Sequence, residues 1–143
     1  MSAAAGDFWA RARDALRVAK HDLPVSADAA TSWAYYAAFY AVSAHFALEG
    51  RSFTRHSAVE AAVHRDLVHR GKWPDAVGKT YSRLLELREK AHYGGETHAS
   101  PDEAADAIAG AEQILRAVAQ AHPDGFTGLE GKSPDAGCEQ GNR

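Results

Sequence analysis

The 143-residue sequence predicts an all-α protein: helices in one domain, residues 1–122, followed by a disordered C-terminal tail, residues 123–143. Three observations carry this prediction. Alanine is the commonest residue, strong runs of β-branched residues are absent, and no stretch alternates apolar and polar side chains at the period of two that a half-buried strand needs. The length agrees, since a chain of 143 residues is too short for two sizeable cores.

The first helix is expected from about Asp7 to Leu23, because Phe8, Ala12, Ala15, Leu16, Ala19 and Leu23 recur at three- and four-residue steps. Pro24 ends it. Ser26 or Asp28 can cap the second helix, which runs to about Glu49 before Gly50. Its middle, Trp33 to Val42, carries aromatic or apolar groups on nearly every face, as the most buried helix would. Ser57 and Glu60 match a capping box and open the third helix, with Val59, Val63 and Leu67 as its stripe and Gly71 as its end. The fourth follows Trp73-Pro74, turns Val77, Tyr81, Leu84, Leu87 and Ala91 inward, and stops at Gly94-Gly95. Ser100 caps the fifth, Pro101 takes its first position, Asp102 and Glu103 suit its positive end, and Pro123 closes it. Beyond Pro123 the chain is rich in Gly, Pro, Ser and charge, which predicts the tail.

Charge and composition remove several classes of function. A net charge of −3 excludes a protein coated in positive charge, although it permits a local basic cleft. One cysteine, Cys138, excludes an internal disulfide and any zinc site built on a Cys pair. No apolar run is long enough to span a bilayer, and Met1 to Asp7 lacks the pattern of a signal peptide. A soluble cytoplasmic domain with no membrane contact is the expectation.

Three constellations can carry chemistry. Arg88 and His92, four apart at the end of the fourth helix, share a face where a fixed cation and a group that titrates near neutral pH would suit metal-free phosphodiester cleavage. The alternative is an ordinary last turn whose cations favour the negative end of the helix. His56, Glu60 and His64 have the spacing of metal ligands on one helical face, and Glu89 with His92 matches the carboxylate–histidine step of di-iron bundles. Against this, Ser57 as cap leaves His56 outside the helix, and the Glu89–His92 step occurs once where such bundles need it twice. The expectation is therefore no metal and no cofactor. Trp33, Tyr35, Tyr36, Phe39 and Tyr40 form either a platform for stacking bases or, as their mid-helix position favours, part of the core.

Three segments occur in order: Tyr35-Tyr36-Ala37-Ala38-Phe39-Tyr40-Ala41, Arg55-His56-Ser57, and Leu84 through Arg88 to Tyr93-Gly94. Together they resemble the HEPN superfamily (higher eukaryotes and prokaryotes nucleotide-binding), particularly its small stand-alone prokaryotic members, over about Asp7 to His122. The resemblance implies a compact bundle of four to five helices, usually a homodimer. Many members are metal-independent endoribonucleases of toxin–antitoxin and antiviral systems, with an Arg–four-to-six residues–His motif assembled from two subunits. Others are non-catalytic companions that bind nucleotide or substrate for a minimal nucleotidyltransferase.

The motif is degenerate in this chain. Four residues after Arg88 intervene before Tyr93, and His92 stands one place early. Arg51 to His56 has the full spacing but lies in a loop and is read as incidental, which leaves Arg88 as the family-equivalent arginine. As a ribonuclease the chain would use Arg88 for the transition-state charge, with His92 or His56 as base or acid. In a binding role Arg88 and His56 would hold phosphate, Tyr93 would position it or stack on a base, and Tyr36 would line the site.

Overall fold

The computed structural model describes residues 2–93 and 95–129. These form five helices, α1 (Ala3–Asp22), α2 (Ala27–Ala47), α3 (His56–Ala62), α4 (Asp75–His92) and α5 (Pro101–Ala121), with no strand among the described residues. The all-α expectation is met. At Ala62 the third helix widens into a π turn over Val63–Val68.

α2 is the centre of the bundle and packs against α1, α4 and α5. Ala30, Ala34, Ala37, Ala38, Ala41 and Ala44 are all completely buried, so the neighbouring backbones approach a surface of methyl groups. Tyr35, Val42 and Phe46 fill the remaining space along it. A second close approach joins the π turn to α4, where a Cβ on Gly78 would stand 2.6 Å from Val68 Cγ2.

Side-chain caps explain where the helices begin. α1 starts before the predicted Asp7 because the Ser2 hydroxyl accepts from the Ala5 N–H at 3.1 Å, which brings Ala5 and Trp9 into the buried face. Ser26 caps α2. Asp28, the other candidate, instead accepts from the Ala99 N–H and pairs with His98 Nδ1, both at 2.7 Å, tying the loop before α5 to the start of α2. The capping box expected at Ser57 and Glu60 does not form. Glu60 is drawn across to α4, where its carboxylate accepts from the Ser82 hydroxyl at 2.6 Å, and α3 starts two residues early behind an Arg55 that makes no side-chain cap. A capping box forms at Ser100 and Glu103 instead, and Lys90 reaches the same Glu103 at 2.9 Å from α4.

The expected tail needs a correction at its start. Phe126 is buried, its ring stacks on Trp9 with centroids 4.9 Å apart, and the Trp9 indole N–H donates to the Thr127 carbonyl at 2.8 Å. Pro123 through Leu129 thus continue the bundle as a strap across α1, because an aromatic side chain and an indole donor both find partners there. The rest of the predicted tail, Cys138 included, lies outside the described residues. Among the described residues no helix is long and apolar enough to cross a membrane.

Candidate functional site

α4 turns Leu84, Leu87 and Ala91 into the core and leaves Arg88 half-buried at the border of that stripe. A guanidinium in that position loses part of its hydration and needs compensation. It comes from α2: Arg88 Nη2 donates to the Tyr36 hydroxyl at 3.1 Å, and Cζ lies 5.5 Å from the Tyr36 ring centroid and 5.7 Å from that of Tyr35. Two aromatic faces and one hydroxyl stand where a carboxylate would be expected. Arg88 makes no ion pair among the described residues, so its charge remains available to an incoming anion.

His56 completes the arrangement from the first position of α3. Its Nδ1 lies 2.6 Å from the Tyr35 hydroxyl and its ring 4.9 Å from that of Phe39. Burial lowers the His56 pKa, the nearby Arg88 cation lowers it further, and Glu89 opposes both. Burial also pushes Tyr35 up to about 12. Tyr35 therefore keeps its proton, and because a phenol O–H is the better donor and an imidazole nitrogen the better acceptor of the two groups, we assign Tyr35 as donor and His56 Nδ1 as acceptor. The remaining ring proton then sits on Nε2. The site therefore offers an anion two donors, a guanidinium and an imidazole N–H.

The other predicted residues fall elsewhere. His92 and Tyr93 are both exposed at the end of α4, Tyr93 by 79%, and among the described residues neither is hydrogen-bonded to Arg88 or His56. The structure thus gathers Arg88, His56 and Tyr36 but not His92 or Tyr93. Arg51, dismissed as a motif arginine, is turned away onto Asp66 at 2.8 Å. The aromatic group divides: Tyr35 is buried, Tyr36, Phe39 and Tyr40 are half-buried, and Trp33 is 40% exposed. Core packing accounts for Tyr35, whereas Tyr36 and Trp33 border the site.

The metal-ligand spacings do not converge. His56, Glu60 and His64 all lie on the third helix and its π turn, yet His56 bonds to Tyr35 while Glu60 and His64 both bond to Ser82, at 2.6 and 2.8 Å. Among the described residues no three His, Cys, Asp or Glu side chains are grouped to hold a metal ion.

Sequence reasoning missed Tyr35 as a site residue. It read as core, which it is, but its hydroxyl crosses to α3. The available signal was the adjacent pair Tyr35-Tyr36, since neighbours on a helix diverge by about 100° and a buried phenol needs a partner for its O–H.

The HEPN domain matches this chain over residues 5–121. A UPF0332 protein of Thermotoga maritima is 38% identical over 114 residues, which cover 78% of this chain and 86% of that protein.

Proposed function

The chain belongs to the HEPN-domain family, and from that premise we propose that it acts on RNA, or binds RNA or a nucleotide, within a toxin–antitoxin or defence-type pair, with Arg88 and His56 meeting the phosphate. The observation that carries the reading is a guanidinium with no carboxylate partner among the described residues, held by two tyrosines beside a neutral histidine. In RNA cleavage the ribose 2′-oxygen would bond to phosphorus as the bond to the 5′-oxygen breaks. Arg88 would offset the added charge on the phosphoryl oxygens. His56, neutral at rest, would first take up a proton from solvent and then give its Nε2 proton to the departing 5′-oxygen, while a base outside the Arg88–His56 pair would take the proton of the 2′-hydroxyl. His92 is the nearest candidate in sequence, on the same protomer or across a homodimer. Incubating the protein with RNA in the presence of a chelator tests this reading. Cleavage is expected, and Arg88→Ala should reduce it by at least about 100-fold, the usual effect of losing such a contact. Cleavage unchanged by Arg88→Ala refutes the site.

A second reading rests on the same tautomer. With Nδ1 committed to Tyr35, neutral His56 presents a donor, which suits holding phosphate better than removing a proton. On this reading the protein is a non-catalytic companion of a minimal nucleotidyltransferase. A wild type that leaves RNA intact but binds nucleotide, with affinity lowered by Arg88→Ala, favours it.

A further inference from the structure

Residues 51–72 carry five Lys or Arg against two carboxylates, so this stretch is net +3 in a chain of net −3. The structure gathers much of that excess at one point. Asp66, on the π turn and 9% exposed, accepts two hydrogen bonds of 3.0 Å from Arg65, pairs with Arg51 at 2.8 Å, and has Arg70 at 4.0 Å. Three guanidiniums gather on Asp66, and one of them, Arg51, also reaches Glu49 at 3.5 Å, which leaves a surplus of one positive charge carried by the exposed Arg65 and Arg70. Arg65 and Arg51 hold the Asp66 carboxyl well below the usual range, so the arrangement persists at any physiological pH. The Arg51 guanidinium lies against Phe46, 4.6 Å from its ring centroid, while the Arg65 and Arg70 side chains are 63% and 69% exposed.

A cavity of about 500 Å³ opens nearby, between the end of the α3–α4 connection and the second half of α5. Leu67, Trp73 and Val77 give it an apolar wall, Lys72 and Arg116 stand in its lining, and among the described residues no carboxylate lines it. Cluster and cavity are neighbours, since Leu67, which follows Asp66 on the π turn, lines the cavity and Lys72 in that lining stands two residues beyond Arg70. His45, which also lines the cavity, lies ten residues beyond Tyr35 on α2, about 15 Å along the helix, so this surface is distinct from the Arg88–His56 site.

We propose that this face is an exosite for single-stranded RNA, with phosphates on Arg65, Arg70 and Lys72 and one base in the cavity against Trp73. The proposal rests on the reading of the Arg88 site as RNA-directed. Single strands are favoured because discrete cations beside an apolar cavity fit a backbone with an unstacked base, which a duplex does not present.

The test is fluorescence anisotropy with a labelled, 2′-O-methylated single strand of about 12 nucleotides, which resists cleavage. Arg65→Gln/Arg70→Gln leaves Asp66 paired with Arg51. Removing two phosphate contacts should weaken binding at least about tenfold near 0.1 M salt and reduce the log–log salt slope by about 1.4. Lys72→Gln, which breaks no ion pair among the described residues, should weaken binding severalfold and guards against a misfolded double variant. The exosite is overturned by a wild type that does not bind, or by variants whose Kd and salt slope match the wild type. Arg88→Ala in the same assay separates the two sites. If only Arg88→Ala weakens binding, the exosite falls and the Arg88 site stands; if only the exosite variants do, the reverse holds.

Discussion

Tyr35→Phe isolates the contact on which the chemistry of His56 depends. The Tyr35 ring is completely buried, so phenylalanine preserves its packing and removes one oxygen. That oxygen makes the 2.6 Å bond to His56 Nδ1, whose net worth is about 1 kcal/mol, toward the lower end because His56 is only half-buried and water can replace the phenol. For a chain of this size such a loss lowers Tm by about 3 °C. The larger consequence is on the tautomer. A preference of about 1 kcal/mol for Tyr35 as donor over Tyr35 as acceptor biases the ratio of tautomers about fivefold toward Nε2, and the substitution removes that bias. Long-range proton–nitrogen NMR correlations of the His56 ring, recorded where the imidazole is neutral, read the ratio directly. The wild type should be protonated on Nε2, and the variant should shift about fivefold toward Nδ1. A wild-type His56 protonated on Nδ1, or a ratio unmoved by Tyr35→Phe, refutes the assignment and with it the view of His56 as a donor to phosphate.

Two further outcomes follow from groups outside that pair. Phe126→Ala should cost about 3 kcal/mol in urea unfolding and shift the emission of Trp9, because Phe126 is buried and stacked on that indole; a loss under about 1 kcal/mol would return Pro123–Leu129 to the tail. Acidification should destabilise the protein through His45 and His122, whose Nδ1 and Nε2 lie 2.9 Å apart and whose pKa values are both lowered, chiefly by burial. The folded state resists protons that the unfolded chain accepts, so this stability is present above the unfolded pKa of about 6.5 and is lost as pH falls through it. Urea midpoints from about pH 8 to about pH 5 measure the slope, which His45→Gln should flatten; a midpoint that rises on acidification contradicts the pair.

The helices were legible because they depend on local pattern. Apolar spacing, Ser26 and Ser100 as caps, and prolines at their ends act within a few residues of where they stand. What escaped the sequence depends on partners far along the chain. Glu60 fits a capping box with Ser57, yet Ser82 on α4 offers its carboxylate a partly buried hydroxyl instead. Phe126 reads as an isolated aromatic until Trp9 supplies its ring and Thr127 receives the indole N–H. The site shows the same division. Arg88 and His56 could be named because their residue types and the order of the motifs point to them. Tyr35 was harder, because the Tyr35-Tyr36 pair signals a buried hydroxyl in need of a partner without saying that the partner is His56 on another helix.

That double role bears on how the site is held. Arg88 and His56 are both positioned by α2, the helix on which the bundle closes, through Tyr36 and Tyr35. A side chain on a mobile loop would hold an anion only after losing conformational freedom, whereas here the aromatic anchors are ordered by folding itself. Local opening that displaced Tyr35 would have to part α2 from α4, because the Tyr35 and Tyr81 rings pack 6.2 Å apart in the core. The geometry around Arg88 should thus be as persistent as the core, and His92 and Tyr93, exposed at the helix end, fall outside that constraint. On the proposed reading this asymmetry means that α2 holds both groups that would meet the phosphate, Arg88 of α4 and His56 of α3, while a proton acceptor would come from the exposed end of α4.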